Sequence, residues 1–440
     1  MSGLLRALPL AALVGAVACA TPTVVARWEP GPAGEPGPRF NASGPHAADF
    51  GAADGYPKGT RTTFYDVGTS VGSHSHLDEI FPGRLVHRAE AASRLARAPE
   101  PRITWRLEGE ERTLNAYLAR QPATGLLIAR GDTILVERYQ YARTDRDRFT
   151  SWSMAKTVTS MLIGIAIAEG FIRSVDDPAA AYVPELAGTE YGRTSLRHLL
   201  QMSSGVRFRE DYSAGNSDIA RLVLATYLRR GTGGVSAVTP FNQRLAPPGR
   251  RFSYSSAETQ VLGLVLRAAT GRPLAEYLEA KIWQPMGAEA NATWLVDKGG
   301  FEATYCCLNA TLRDFARFGM LLANHGELDG KQVIPAGWVK AATTPQAPHL
   351  RAGVATQWNG YGYQTWILGD ADPREGRKPS ESRFFAAFGL RGQAIFVDPL
   401  TKLVVVHTAV WADGSDQTER GAQFELWFRL LGMLSKEKAA

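Results

Sequence analysis

A chain of 440 residues that is 45% hydrophobic and 21% charged is globular in composition and long enough for a large core and two structural units, which excludes a disordered or fibrous protein. The net charge of +6 is spread without a basic block or a basic-aromatic stripe, so nucleic acid is not an expected partner.

The chain opens with "MSGLLRALPLAALVGAVACATP", which has one arginine, an apolar stretch from Leu8 to Ala18 and small residues around Cys19. It reads as an export signal over residues 1–20, too short for a good membrane span. Cleavage fits after Ala18 or after Ala20. The first would leave Cys19 at the new terminus, and "AVAC" resembles the lipobox of bacterial lipoproteins, with alanine where leucine is usual. The expected location is the periplasm of a bacterium, either free or held to the membrane through a lipid anchor on Cys19. The other two cysteines, Cys306 and Cys307, are adjacent. Neighbours bridge each other only with backbone strain, so no disulfide framework is expected and the core must supply stability.

Residues 21–100, with "RWEPGPAGEPGPRF" near their start, form a Pro/Gly-rich N-terminal arm, either a stalk or a wrapping segment. "GTSVG" around Ser70 satisfies the G-x-S-x-G nucleophile elbow, but "GSHSHLDEIFPG" puts two histidines and a glycine where a buried helix should begin, so a chance match is expected. His74 and His76, with Asp78 and Glu79, read as solvated loop residues, since no third clustered ligand of zinc type is visible. No metal or cofactor is expected.

From residue 101 the texture changes. "GLLIARGDTILVERYQY" is two β-rich runs around Gly131-Asp132, a hairpin signal. The helix of "SWSMAKTVTSMLIGIAIAEG" follows, then "LRHLLQMSSGV", a helix predicted to end at Gly205. Residues 206–325 are mostly helical in pattern, with Gly271 and Gly326 as stops. "QAIFVDPLTKLVVVHTAV" returns to strand, turn, strand, and "FELWFRLLGML" closes with a helix. Strands at both ends with helices between predict an α/β (α+β) fold: an antiparallel sheet flanked by helices over residues 101–205 and 326–440, with an inserted all-helical subdomain over 206–325.

One lysine in the first long helix is out of place. The amino end of a helix is the positive end of its dipole, so Lys156 there is unfavourable by a few tenths to about 1 kcal/mol. The residues after it are apolar on nearly every face, the pattern of a helix buried all round. Desolvation and the dipole both lower the amine's pKa, and positions i and i+3 share a face, so a neutral Lys156 can take the proton of Ser153. The alternative is a capping serine and a lysine that snorkels to water. Tyr254, between a Pro-Gly turn and a helix start, can pass protons if nearby cations lower its pKa, or else packs its ring at a domain boundary. Gly389 and Gly392 open an edge strand whose N–H groups can serve an oxyanion, or else mark a bulge. His407 reads as a satisfied core or edge histidine, and no histidine has the setting of a triad base.

In order and placement, "SMAK", "YSS" and "AFG" resemble the S-x-x-K, Y-x-N and K-T-G elements of the serine β-lactamase and penicillin-binding-protein superfamily. The flanks "LLQMSSGVRFREDY", "CCLNATLRDFARFG" and "GLRGQAIFVDP" are similar to its class C-related branch of esterases and 6-aminohexanoate-dimer hydrolases, over residues 110 to 435. The resemblance implies a β-lactamase/transpeptidase-like fold and an acyl-enzyme mechanism. Ser153 would be the nucleophile, Lys156 its base, Tyr254 a proton relay, and the backbone N–H groups of Ser153 and Leu390 the oxyanion hole. Substrate-binding positions would be Tyr212, Ser256, Gly389 and Arg391, with Cys306 and Cys307 near the rim. Two positions depart from the pattern: Ser256 replaces the asparagine and Ala387 the lysine of K-T-G. Without that lysine, strong β-lactamase or peptidase activity is not expected, unless Arg391 substitutes for it; an arginine there is equally well a solvated strand-edge charge. The expected protein is an exported serine hydrolase cleaving a small ester or amide. The alternatives are a β-lactamase or peptidoglycan DD-peptidase, and a catalytically silent envelope-binding module.

Overall fold

The computed structural model describes residues 27–29, 37–107, 110–228, 233–369, 381–414 and 416–437. The leader and Cys19, and with them the export and lipid readings, lie outside the described residues.

The arm is more regular than its composition suggests. Val67–Ser75 forms helix α1, so the helix expected to fail at "GSHSH" does form. Its small residues make this possible: a Cβ on Gly72 would lie 2.5 Å from the Pro57 carbonyl, so only glycine lets the arm close on itself there. Ser70 is fully buried and donates back to the Val67 carbonyl at 2.8 Å, which leaves the G-x-S-x-G match without an open nucleophile. His74, expected in solvent, is buried with its ring against Tyr65 and Trp152, and burial holds its pKa well below the ordinary value. Among the described residues no group of three His, Cys, Asp or Glu side chains could hold a metal ion.

The hairpin forms as read, with β1 (Ala123–Arg130) and β2 (Thr133–Tyr139) antiparallel across Gly131-Asp132. A 3-10 turn at Trp152–Met154 leads into α2 (Ala155–Ala168), buried continuously from Ala155 to Ala166. The helix expected to run to Gly205 is only Leu196–Leu200, because Met202 takes a left-handed φ of 52°. Helix α3 (Ser256–Thr270) stops at Gly271, and α4 (Leu312–Ala323) stops at Asn324, two residues short of Gly326. The carboxyl part adds β3 (Gly360–Tyr361), β4 (Trp366–Gly369), β5 (Glu381–Phe388), β6 (Ala394–Asp398), β7 (Leu403–Ala409) and α5 (Gln417–Glu437).

The main sheet runs β3-β4-β5-β6-β7-β1-β2, each neighbour antiparallel, with the short strands Arg39–Phe40 and Ala96–Arg97 parallel to β2. The insertion over 206–325, expected to be all-helical, instead carries the strands Ala292–Leu295 and Leu308–Ala310, which pair with each other and with Gly83–Val86 and Phe149–Thr150 in a second antiparallel sheet. β7 lies against β1 with Val404 opposite Ala129 and Val406 opposite Leu127, so the carboxyl end completes the sheet. The strands are apolar on both faces because helices cover both. Leu127, Ala129, Val404, Val406 and Ile395 join α2, α3 and α4 in the main core, while their alternating neighbours Leu126, Ile128, Val405 and Phe396 pack on Phe424, Trp427 and Leu430 of α5. Cys306 and Cys307, adjacent in the chain, are bonded to each other. Cys307 takes a left-handed φ of 68°, the local deformation that lets neighbours bridge, and the link closes no long loop. The mixed α/β fold leaves the starts of α2 and α3 and the β5–β6 connection at one place.

Candidate active site

Ser153 lies in the tight turn before α2. Trp152, just ahead of it, has φ 41°, a conformation a bulky residue rarely adopts and one that concentrates at functional sites. The turn is held from both sides. The Ser151 N–H donates to the Leu308 carbonyl at 2.8 Å, and the Leu308 N–H to Ser151 Oγ at 3.0 Å. Across from it, a Cβ on residue 389 would sit 2.4 Å from the Ser151 carbonyl, so Gly389 is what lets the β5–β6 connection close on the turn that carries Ser153.

Lys156 is 1% exposed, and its Nζ lies 2.9 Å from Ser153 Oγ, 3.1 Å from Ser256 Oγ and 3.0 Å from the Tyr305 carbonyl. Burial lowers its pKa from 10.5 to about 8, against the opposing charge of Glu210. The proton inventory then decides direction. The Tyr305 carbonyl can only accept. Ser256 spends its one hydroxyl proton on Glu210 Oε1 at 2.5 Å, so toward Lys156 it too can only accept. A neutral amine has two N–H bonds and one lone pair. The two N–H groups go to Tyr305 and Ser256, and the lone pair is left facing the Ser153 hydroxyl.

Glu210 was not singled out from the sequence, although it lies within "REDY". Its carboxylate also accepts from the Ser256 N–H at 2.9 Å and the Tyr212 hydroxyl at 2.6 Å. It thus orients Ser256, and through Ser256 the amine. Glu210→Gln removes the charge that raises the Lys156 pKa, so the acid limb of kcat/KM moves to lower pH. The plateau kcat falls about tenfold as Ser256 loses its strong acceptor. A pH-rate profile with an unmoved acid limb would contradict this role.

Tyr254 is within hydrogen-bonding reach of Ser153, and Lys156 Nζ sits 4.9 Å from the centre of its ring. The sequence expectation of a lowered phenol pKa is corrected here: burial and the Glu210 charge raise it above the ordinary value, and the contact with Ser153 offsets only part. The phenol therefore stays protonated. Its ring stacks on Trp366 at 5.5 Å between centroids, which fixes the hydroxyl's direction.

Ser153, Tyr212, Leu390 and Cys306 line one cavity of about 220 Å³, walled mainly by Phe64, Tyr65, Trp152, Val223, Tyr227 and Leu228. Three expected substrate contacts do not line it. Ser256 is fully buried beneath, engaged by Lys156 and Glu210. Gly389 serves as the close approach to Ser151. Arg391, read as a substitute cation or a solvated charge, is 6% exposed and donates to the Tyr65 carbonyl instead, because its φ of 57° turns it toward the arm.

Against known families, residues 111–424 match the model of the beta-lactamase family. The chain belongs to the beta-lactamase family. It is 28% identical over 393 residues to a 6-aminohexanoate-dimer hydrolase of Paenarthrobacter ureafaciens, covering 87% of this chain and 95% of that one. A solved Bacillus anthracis structure named for the same hydrolase superposes with a TM-score of 0.76 at 26% identity, covering 86% of this chain and 97% of that one. A beta-lactamase of Escherichia coli K12 is 26% identical over 201 residues, 40% of this chain and 48% of its own. The protein is a serine hydrolase of the beta-lactamase fold.

Within that family frame, the residues missed by reading the sequence are, besides Glu210, those that act through the main chain or from the arm. Tyr305 contributes a carbonyl, which no motif marks. Phe64 and Tyr65 come from the segment ahead of the family match, where composition promised no structure.

Proposed function

We propose that the protein hydrolyses a small ester or amide through an acyl-enzyme on Ser153. The observation that carries this is the buried Lys156 amine 2.9 Å from Ser153 Oγ; in its neutral form the contacts with Ser256 and Tyr305 take its two N–H groups and leave its lone pair to that hydroxyl. Ser153 Oγ attacks the substrate carbonyl carbon as its proton passes to Lys156 Nζ, and the carbonyl oxygen becomes an oxyanion held by the N–H groups of Ser153 and Leu390. The bond to the leaving oxygen or nitrogen breaks as protonated Tyr254 donates to it, and the Lys156 ammonium reprotonates the phenol. Water then attacks the acyl-enzyme by the same steps in reverse, which frees the acid and restores Ser153.

The cavity supports the choice of substrate. Asp211 is the one charged side chain lining it among the described residues, so an acyl group without a carboxylate suits it. With Ala387 in place of lysine and Arg391 turned away, no cation among the described lining residues awaits the carboxylate of a β-lactam or a peptidoglycan stem. The relative named for an amide dimer favours linear amides alongside esters. The amino-terminal segment adds export to this reading, with Cys19 as the lipid anchor if cleavage precedes it.

The test is turnover of p-nitrophenyl esters, 6-aminohexanoate dimer and nitrocefin, with mass mapping of a fluorophosphonate adduct. Expected are an adduct on Ser153, ester or amide cleavage, and nitrocefin kcat/KM roughly 10- to 100-fold lower, the size of a lost charge-assisted contact. Nitrocefin as the best substrate would favour the β-lactamase reading, and no adduct would favour a silent binding module.

A further inference from the structure

The connection from Gly389 to Gln393, which carries Leu390, has each of its first four carbonyls taken by a side chain from behind. Gly389 O accepts from Arg420 at 3.2 Å, and Leu390 O and Arg391 O accept from Gln393 Nε2 at 3.1 and 3.2 Å. Gly392 O accepts from Gln423 at 2.7 Å and from His407 Nδ1 at 2.9 Å, with burial holding the His407 pKa down at about 4. On the other side, one side-chain tie runs from the connection to the arm. Arg391 Nη2 donates to the Tyr65 carbonyl at 2.9 Å, and its guanidinium lies 4.4 Å from the centre of the Tyr65 ring.

This tie is an unfavourable arrangement on its own terms. Arg391 is a non-glycine residue at φ 57°, and its Nε and Nη1 are buried without a hydrogen-bond partner among the described residues. A left-handed arginine and two buried guanidinium nitrogens without partners each oppose folding, and glycine would suit the backbone better. A side chain kept at such a position is the kind of outlier from which a functional role is inferred. Its neighbours say which role. Leu390 on one side and Tyr65 at the other end of the tie both line the cavity that Ser153 opens into.

Resting on the acyl-enzyme reading above, we propose that Arg391 is a positioning residue for the oxyanion hole: anchored on Tyr65, it holds the connection so that the Leu390 N–H stays aimed at the developing oxyanion. The catalytic unit then extends beyond residues 111–424 into the arm, which supplies both the anchor and a wall of the acyl cavity. Arg391 touches no substrate. It acts where charge develops, so it bears on the transition state more than on binding.

The test uses the full chain with Arg391→Met and Arg391→Lys, assayed on p-nitrophenyl butyrate and with an aryl trifluoromethyl ketone. That ketone adds Ser153 Oγ to its carbonyl carbon, passes the proton to Lys156 and leaves an oxyanion in the hole. For Arg391→Met, kcat should fall about 100-fold with KM within about twofold, and the ketone Ki should rise by a similar factor, the size expected for losing an oxyanion donor. Arg391→Lys keeps the charge without the planar fork and should fall between Met and wild type. The proposal is overturned if a folded Met variant keeps kcat within about threefold. It is equally overturned if KM and melting temperature move while the ketone Ki does not, or if neither variant folds, which would make Arg391 structural. Should Met alone fail to fold, the Lys variant's kcat and Ki decide by the same criteria. Ser153→Ala in the same assay separates the two readings: retained turnover there would sink the acyl-enzyme, whereas failure at Arg391 alone leaves it standing.

Discussion

Ser153→Ala is expected to reduce hydrolysis of a p-nitrophenyl ester by roughly 10⁴- to 10⁶-fold and to abolish the fluorophosphonate adduct, with little change in melting temperature. The size follows from the chemistry. With no hydroxyl there is no acyl-enzyme, and what remains is the acceleration from the oxyanion donors and from holding the ester near water. The small stability effect follows from location: Ser153 Oγ opens into the cavity, and Lys156 keeps Ser256 and Tyr305 as acceptors when it is gone. A variant that retains a tenth of the activity would place the nucleophile elsewhere. Ser70, the other serine in a hydrolase-like motif, is sealed in α1 with its hydroxyl spent on a carbonyl, so Ser70 is no substitute.

Lys156→Met is expected to cost about 10³- to 10⁵-fold in kcat while the protein remains as stable as wild type at pH 7, or becomes more so. Removing the base leaves Ser153 with a hydroxyl that no neighbour deprotonates, since Tyr254 is held protonated. Stability moves the other way because an amine whose pKa drops from 10.5 to about 8 on folding resists burial in its charged form. The unfolded chain holds that proton up to about pH 10.5 and the folded chain only to about 8. Wild type therefore bears the full penalty below pH 8, on the order of 3 kcal/mol, and sheds it as pH rises to 10.5. Methionine bears none of it, but it leaves the Tyr305 carbonyl without a donor, which offsets part of the gain at about 1–3 kcal/mol. The stability margin of the variant over wild type should thus shrink between pH 8 and 10.5 in thermal melts. A margin that stays flat would mean the lysine is not desolvated in the folded protein. In kinetics, wild-type kcat/KM should climb with pH to a plateau above about 8.

The two variants would separate chemistry from architecture, because one removes the proposed nucleophile without touching the core and the other removes the proposed base at no expected cost in stability. They also show how the site is built. Lys156 lies on the continuously buried stretch of α2, and its amine stays within reach of Ser153 because the turn before the helix is locked by Leu308 and by the close approach of Gly389. Glu210 is the third part of that arrangement, acting from a distance through Ser256.

By itself the sequence determined what depends on neighbours along the chain. The β1–β2 hairpin, the apolar length of α2, its stop-and-start punctuation and the spacing of Ser153 from Lys156 are local, since periodicity and turn chemistry act over a few residues. Family motifs added Tyr254 and Leu390 to the same neighbourhood. Only tertiary structure decided what comes together from afar. It turned Arg391 from the substrate to the arm, placed Ser256 beneath the amine and not in the cavity, raised the phenol's pKa by burial, and brought Phe64 and Tyr65 from a proline-rich arm to wall the pocket. The physical reason is that desolvation and hydrogen-bond direction depend on which groups surround a side chain in three dimensions, and that set is defined only once the sheet has closed around it.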